Sequence, residues 1–537
     1  MSGDSPQITW NVQHISSVML VFSFFMGDFC SYNKEIPDHH YGLKGCGSMS
    51  LEELNRRVKQ DLSCIAFGGP AWVKPTSRPE GHVYDVVIVG GGQSGLGAAF
   101  GLFRERIYNV LVIDENPEGL EGPWDTYARM ITLRTPKHLS SIDLGVPSLT
   151  FRAWWEAQHG PEGWEQLDKI PRGEWMNYLR WFRQVLALPV RNGRRLTLVE
   201  PLGDGLHRLH LEVSGAAGGE NREESGDRQK ATGSGGREEA APEVILARKV
   251  VLATGIQGGG EWHVPRMIAE QLSKDRYAHT SERIDFEALR GKRIGILGGG
   301  ASAFDNANYA LTEGAAEVHV FVRRDKLPGV NPIRQMEVSG MIERFHTLPD
   351  ADKYAVIAHF FKFNQPPTND TYQRAAAWPG FRLHLGSPWL GVAEEGEVRV
   401  TTPKGSFGFD FLIISTGLLS DLSLRPELRL LEPHAARWAD RYAAPPEMAN
   451  PLLDAHPYLT PGFALTCRGE EGKRLLHGVF IFNYSALASC GLSASAISGT
   501  RNAVPKLASA IADQLFTDSR EETLENFFAY REEEFKG

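Results

Sequence analysis

Between residues 84 and 114 the apolar positions change period twice. Val86-Val87-Ile88-Val89 is a short continuous run of the buried-strand kind, the small residues of Leu96-Gly97-Ala98-Ala99 belong to a helix, and Val110 to Ile113 forms a second strand. The same alternation starts again near Lys292, with Arg293-Ile294-Gly295-Ile296-Leu297, and ends near Arg324 after Val318 to Val322. Strands that alternate with helices predict βαβ units and a parallel sheet. Between the two units, Leu206 to Val213 and Val244 to Leu252 read as strands that flank a Gly-, Glu-, Arg- and Ser-rich stretch, Ser214 to Ala241. Few of those residues can fill a core, so this insert is expected to be a disordered, solvated loop at the tip of a long hairpin. Upstream, Ser50 and Glu53 form a capping-box pattern, and Leu51, Leu54, Val58 and Leu62 share one helical face. Residues 1–48 show no clear period, and Met49 is an alternative start. Phe409 to Thr416 predicts a late strand, and Cys490 to Leu515 a C-terminal helix.

The first strand runs directly into Gly90-Gly91-Gly92-Gln93-Ser94-Gly95, a GxGxxG turn. Gly90 allows the tight strand-to-helix turn, Gly92 lets the backbone approach a pyrophosphate, and Gly95 lets helix and strand pack closely. The helix that begins there, with Ser94 in its first turn, points free N–H groups and its dipole at the phosphates. Asp114 ends the second strand about 20 positions beyond Gly95, the distance expected for a carboxylate that bonds ribose hydroxyls, and Glu115 is the neighbouring candidate.

The second unit repeats the arrangement with Gly298-Gly299-Gly300-Ala301-Ser302-Ala303, where Ala303 takes the third glycine position. Its second strand ends at Arg323 and Arg324, where a site for unphosphorylated nucleotide would place an acid. Guanidinium groups there suit the adenosine 2′-phosphate of NADP. Two dinucleotide turns in one chain predict a bound flavin, FAD, at the first and its hydride donor, NADPH, at the second.

Composition bounds this reading. The 537 residues allow two or three domains, and 42% hydrophobic with 23% charged residues is ordinary for a globular enzyme. A net charge of −9 argues against a nucleic-acid surface. The five cysteines include no Cys-x-x-Cys pair, so neither a disulfide framework nor a metal site is expected, and the thiols read as buried and reduced. The apolar run Val18 to Met26 is too short to span a bilayer and follows no basic segment, so the expected location is cytoplasmic.

These residues resemble the single-component, class B FAD/NADPH monooxygenases, which include the flavin-containing, Baeyer–Villiger and N-hydroxylating enzymes. The likeness spans most of Tyr84 to Leu515. Besides the paired turns it rests on four elements. Glu121-Gly122-Pro123-Trp124 is similar to a Gly-Gly-x-Trp element beside the flavin. Ala253-Thr254-Gly255 and Ser415-Thr416-Gly417 are similar to the two crossings between the FAD and NADPH domains, and Gly491-Leu492-Ser493 to a segment where a helix start nears the flavin. The resemblance implies an α/β, two-dinucleotide-binding-domain flavoprotein: a Rossmann-like FAD domain with an inserted Rossmann-like NADPH domain. The expected division is an extension with an amphipathic helix over 1–81, the FAD domain over 82–257 and 411–537, and the NADPH domain over 258–410.

The cofactor contacts it implies are Gly90, Gly92, Ser94, Gly95, Asp114, Glu115, Trp124, Thr254, Gly255 and Gly417, with Gly491 and Leu492 near reduced flavin, and Gly298, Gly300, Ser302, Ala303, Arg323 and Arg324 on NADPH. It also implies a reaction in which a C4a-(hydro)peroxyflavin formed with molecular oxygen oxygenates a small molecule, an amine or other heteroatom favoured. The chain departs from subfamily patterns. His279 is the histidine of a broken Phe-x-Gly-x-x-x-His pattern, with Ser273 and Asp275 in place of Phe and Gly, and Arg283 stands where an aromatic residue follows. Thr135-Pro136-Lys137 replaces a Thr-Asn pair. A flavin reductase or dehydrogenase without oxygenation, and a flavin-bound redox sensor, therefore remain open at the level of sequence. No acid–base group declares itself: Arg134, Lys137, His138, Asn483 and Tyr484 are candidates for anion or nicotinamide contacts.

Overall fold

The computed structural model describes residues 49–139, 142–213, 243–363 and 365–537. The expectations for residues 1–48 and for the insert at 214–241 fall outside the described residues. Helix α1 (Leu51–Cys64) forms as its pattern predicts. Ser50 accepts from the Glu53 N–H, the Glu53 carboxylate returns to the Ser50 N–H, and Leu54, Val58 and Leu62 are buried.

An eight-stranded sheet follows. Strand β1 (Gly81–Val89) leads into helix α2 (Gln93–Arg104) and strand β2 (Val110–Ile113). Then come helices α3 (Phe151–Gln166) and α4 (Arg172–Val185), and strands β3 (Val190–Arg191), β4 (Arg194–Pro201), β5 (His207–Val213) and β6 (Glu243–Leu252). The order is β3-β2-β1-β6-β5-β4, with the short strand Ser77–Arg78 on β1 and a late strand on β6. The pairs β3–β2, β2–β1 and β1–β6 are parallel, whereas β4, β5 and β6 run antiparallel. Phe151, Trp154 and Trp164 of α3 pack with Trp175 and Tyr178 of α4, so these tryptophans belong to the core.

The chain leaves this sheet through strand β7 (Gly260–Trp262) and enters a second, five-stranded sheet. Its members are β8 (Tyr277–His279), β9 (Arg293–Leu297), β10 (Glu317–Phe321), β11 (Phe381–His384) and a strand that arrives later. Helix α5 (Ala301–Thr312) connects β9 to β10, and helix α6 (Pro332–Val338) lies in the long segment before β11. An antiparallel meander of β12 (Gly391–Glu395), β13 (Glu397–Thr402) and β14 (Gly405–Phe409) leads to β15 (Phe411–Ile414). All five strands are parallel, in the order β11-β10-β9-β15-β8. Strand β15 corrects one expectation. Residues 411–414 were assigned to the returning FAD domain, but their Ile- and Leu-rich run fills the gap between β9 and β8. The return comes at β16 (Leu418–Ser420), which pairs antiparallel with β7. Strand β17 (Val479–Ile481) rejoins the first sheet beside β6, and helix α7 (Ile497–Asp518) packs on α2.

Among the described residues no helix is long and apolar enough to cross a membrane. Cys490 is buried, but Cys64 is exposed on α1, contrary to the expectation that the thiols are all buried.

Candidate active site

At the end of β1, Gly90 has φ +109°, and a Cβ there would lie 2.3 Å from the Ala253 carbonyl oxygen. The chain turns only because no side chain stands there. Gly95, one turn into α2, lets that helix close on the Gly90 carbonyl, which a Cβ would approach to 1.8 Å. Helix α2 has Gly92 as N-cap and no side-chain cap, so its first N–H groups are left for a ligand. The Ser94 hydroxyl donates to Ala494 O (3.3 Å), which ties the start of α2 to the C-terminal segment.

The two acids after β2 separate in role. Asp114 is buried and accepts N–H groups from Gly91 (2.7 Å) and Asn116 (2.8 Å), so it shapes the turn. Burial raises its pKa, and those N–H groups oppose the rise. Glu115 is exposed, lines the cavity and has no hydrogen-bond or ion-pair partner among the described residues, which leaves its carboxylate free for a ribose.

A cavity of about 910 Å³ opens beside this turn. Gly90, Gly92 and Ser94 line it with Asp114, Glu115 and Trp124, and Thr254 and Gly255 join from the end of β6. The Trp124 indole N–H is buried without a partner among the described residues, while its ring meets Trp175 edge-on at 6.5 Å. Such an orphaned donor on the wall fits a polar ligand. The wall also contains Gln93, Tyr127, Gln257, Trp262, Ala494 and Ile497, none of which a motif in the sequence singles out.

The two crossings lie side by side. Gly255 and Gly417 both have positive φ, +74° and +80°. The Asn483 amide donates to Leu252 O (3.3 Å) and Thr254 Oγ1 (3.1 Å), so Asn483 staples the first crossing. At the second, the His263 N–H donates to Gly417 O (2.9 Å), and the Thr416 hydroxyl donates to His263 O. Trp262 stacks on His279 at 4.9 Å, and burial pushes that imidazole down to about 4, so it is neutral at physiological pH.

The second turn repeats the first. Gly298 has φ +136°, and a Cβ there would lie 2.3 Å from Ser415 O, as Gly90 stands to Ala253. Gly300 is the N-cap of α5, Ser302 is exposed, and Ala303 is fully buried, where its methyl group is accommodated. Arg323 and Arg324 are exposed beyond β10. Arg324 donates to Lys362 O (2.8 Å), whereas Arg323 has no partner among the described residues. None of these six residues lines the 910 Å³ cavity, nor does Gly95, Gly417, Gly491 or Leu492.

Residues 87–257 match the FAD-NAD(P)-binding family. Over 491 residues, 91% of this chain and 98% of the relative, the sequence is 58% identical to the FAD-dependent urate hydroxylase of Xanthomonas campestris pv. campestris. The chain belongs to the FAD-dependent urate hydroxylase family. It is an FAD-dependent monooxygenase of the NAD(P)H-using kind, and the two non-oxygenating alternatives are not favoured. Solved structures share its fold. The ornithine hydroxylase of Pseudomonas aeruginosa superposes with a TM-score of 0.61 over 81% of this chain and 100% of that one, at 15% identity. The Kutzneria ornithine N-hydroxylase gives 0.59 over 80% and 99%, at 16% identity.

Within this urate hydroxylase family member, Lys137, His138 and Tyr484 have different surroundings. Lys137 donates to Trp164 O (2.6 Å) and lies over that ring at 4.5 Å, so it clamps α3. His138 is exposed. Burial pushes the Tyr484 hydroxyl up to about 12, outside acid–base range. The expected C-terminal helix forms, but not from Cys490. Gly491 begins a 3-10 turn held against Phe345, whose ring a Cβ at Gly491 would approach to 2.7 Å, and α7 starts only at Ile497. The segment that faces the cavity is therefore Ala494 to Ile497, not Gly491 and Leu492.

Proposed function

We propose that this enzyme hydroxylates urate. The observation that carries the reading is the 58% identity to a urate hydroxylase across 98% of that protein. The substrate is thus an oxygen-rich purine, where the sequence alone favoured an amine or other heteroatom. One oxygen atom of O₂ enters urate, the other leaves as water, and NADPH with a proton supplies two electrons. FAD, when bound, relays those electrons and activates the oxygen.

The protein's part is to hold the reactants. The turn over Gly90, Gly92, Ser94 and Gly95 takes the FAD pyrophosphate on the N–H groups of α2. Asp114 shapes that turn and Glu115 takes the ribose. Trp124 offers its free indole N–H, Thr254 and Gly255 pass beneath, and the amides opening α7 supply positive potential at the far wall. Gly298, Gly300, Ser302 and Ala303 form the NADPH turn. Arg323, with Arg324, pairs with the 2′-phosphate. In this reading the FAD domain comprises 82–257 and the chain after β16, the nicotinamide domain lies between them, and the enzyme works in the cytoplasm.

The test is oxygen and NADPH consumption by purified, FAD-loaded protein with and without urate, with ornithine and lysine as controls. One O₂ and one NADPH consumed per urate lost supports the reading. NADPH oxidation that is indifferent to urate, with all the oxygen recovered as hydrogen peroxide, sinks it.

A further inference from the structure

Just past the turn Gly298 to Ala303, α5 carries an acid that the nucleotide turn does not need. Asp305 lies on α5 two residues past Ala303, is only 7% exposed, and pairs with Arg134. Arg134 belongs to the loop after Trp124, on the flavin side of the crossings. Buried charges persist only when paired, so this contact fixes α5 against that loop.

The connection continues. Arg334 of α6 donates to Arg134 O (2.9 Å) and to Glu337 Oε2 (3.0 Å). The other Glu337 oxygen, Oε1, accepts from the Ser498 hydroxyl (3.2 Å). Ser498 is in the first turn of α7, beside Ile497 on the cavity wall. A continuous polar path thus runs from the second dinucleotide turn, through the loop after Trp124, to the helix start that faces the FAD cavity. Each link joins segments distant in sequence, except the one inside α6.

We propose that Asp305, Arg134, Arg334, Glu337 and Ser498 form a positioning network that sets the nicotinamide cofactor against the flavin for hydride transfer, with Arg134 and Asp305 as its principal positioning residues. This rests on the assignment of the Gly298 turn to the nicotinamide cofactor and does not depend on the substrate. The transfer moves one hydrogen with two electrons from the nicotinamide to the flavin and leaves oxidised nicotinamide and reduced flavin. It needs the reacting atoms about 3–3.5 Å apart, and a misplacement of about 1 Å costs about a hundredfold in rate. A buried ion pair between α5 and the flavin-side loop supplies the rigidity that this tolerance demands.

The experiment uses FAD-loaded full chain. Arg134→Met/Asp305→Leu removes both charges together, which avoids an orphaned buried charge. Binding of NADP⁺ is measured by calorimetry, and two readouts are followed: the perturbation of the oxidised flavin spectrum on titration with NADP⁺, and the anaerobic rate of flavin reduction at saturating NADPH. The double variant is expected to keep its FAD and to bind NADP⁺ within about threefold of wild type, to lose the perturbation, and to be reduced at least about tenfold more slowly. Arg134→Lys, which keeps the ion pair, is expected to fall between the two. A double variant with the wild-type perturbation and rate overturns the proposal. If the double variant loses FAD, Arg134→Lys decides: wild-type values in both readouts overturn the network. Gly298→Ala is the control for the underlying assignment. If it binds NADP⁺ as wild type does, the assignment and the network fall together.

Discussion

At Gly90 and Gly298 there is no room for even a single methyl group. Each added Cβ would lie 2.3 Å from a backbone carbonyl oxygen that cannot move aside, at a φ that disfavours side chains. Gly90→Ala is expected to leave the purified protein colourless, with FAD content at least about tenfold down. Gly298→Ala is expected to stay yellow but to lose NADPH-dependent flavin reduction. Flavin absorbance and stopped-flow reduction check both, and a yellow Gly90→Ala protein would contradict the first. Arg323 makes a second residue-scale case. Its guanidinium has no partner among the described residues, and a charged hydrogen bond to a phosphate contributes about 1.5–3 kcal/mol. Arg323→Ala should raise the KM for NADPH at least about tenfold and leave that for NADH within about twofold; equal effects on both would remove the 2′-phosphate assignment. The two turns were legible in sequence because strand, glycine turn and helix are local and their spacing encodes the geometry. Arg134 was legible only as one of several cations, since its partner Asp305 lies on α5, 171 positions away in the chain.

Among the elements, α1 shows what local sequence suffices for. The reciprocal bonds of Ser50 and Glu53 and the stripe Leu54, Val58 and Leu62 are all near neighbours in the chain. Ser50→Ala removes the acceptor for the Glu53 N–H and should cost about 1 kcal/mol. The measurement is amide exchange across 51–64, expected to speed about fivefold in the first turn, and unchanged protection would show that packing alone holds the helix. The C-terminal segment shows the opposite. Its small, apolar residues read as one helix from Cys490, yet Phe345, about 150 positions earlier, packs on Gly491 and delays the helix to Ile497. Likewise β15 has the apolar run of any buried strand, and only its neighbours β9 and β8 decide which sheet receives it.

Across the whole molecule, burial sets the response to acid. His207, His279 and His456 come from three distant parts of the chain, and burial pushes each from 6.5 down to about 4. Because the folded value is lowered, each stays neutral in the fold while the unfolded chain takes up a proton. Stability is therefore unaffected above about pH 6.5 and is lost as pH falls from there towards about 4, by about 1.4 kcal/mol per pH unit for each group. His456→Gln should flatten the fall of the urea midpoint between pH 6.5 and 4.5 relative to wild type. An identical slope would mean that His456 is protonated in the fold. Sequence by itself determined the two βαβ units, their glycine turns and the pairing of FAD with a nicotinamide cofactor, because those features are written in short windows of chain. Tertiary structure alone decided which acid is buried in the first turn and which is exposed at the cavity, which C-terminal residues line that cavity, which histidines are neutral, and how Arg134 meets Asp305. Those depend on burial and on contacts between residues far apart in the chain, where spacing carries no signal.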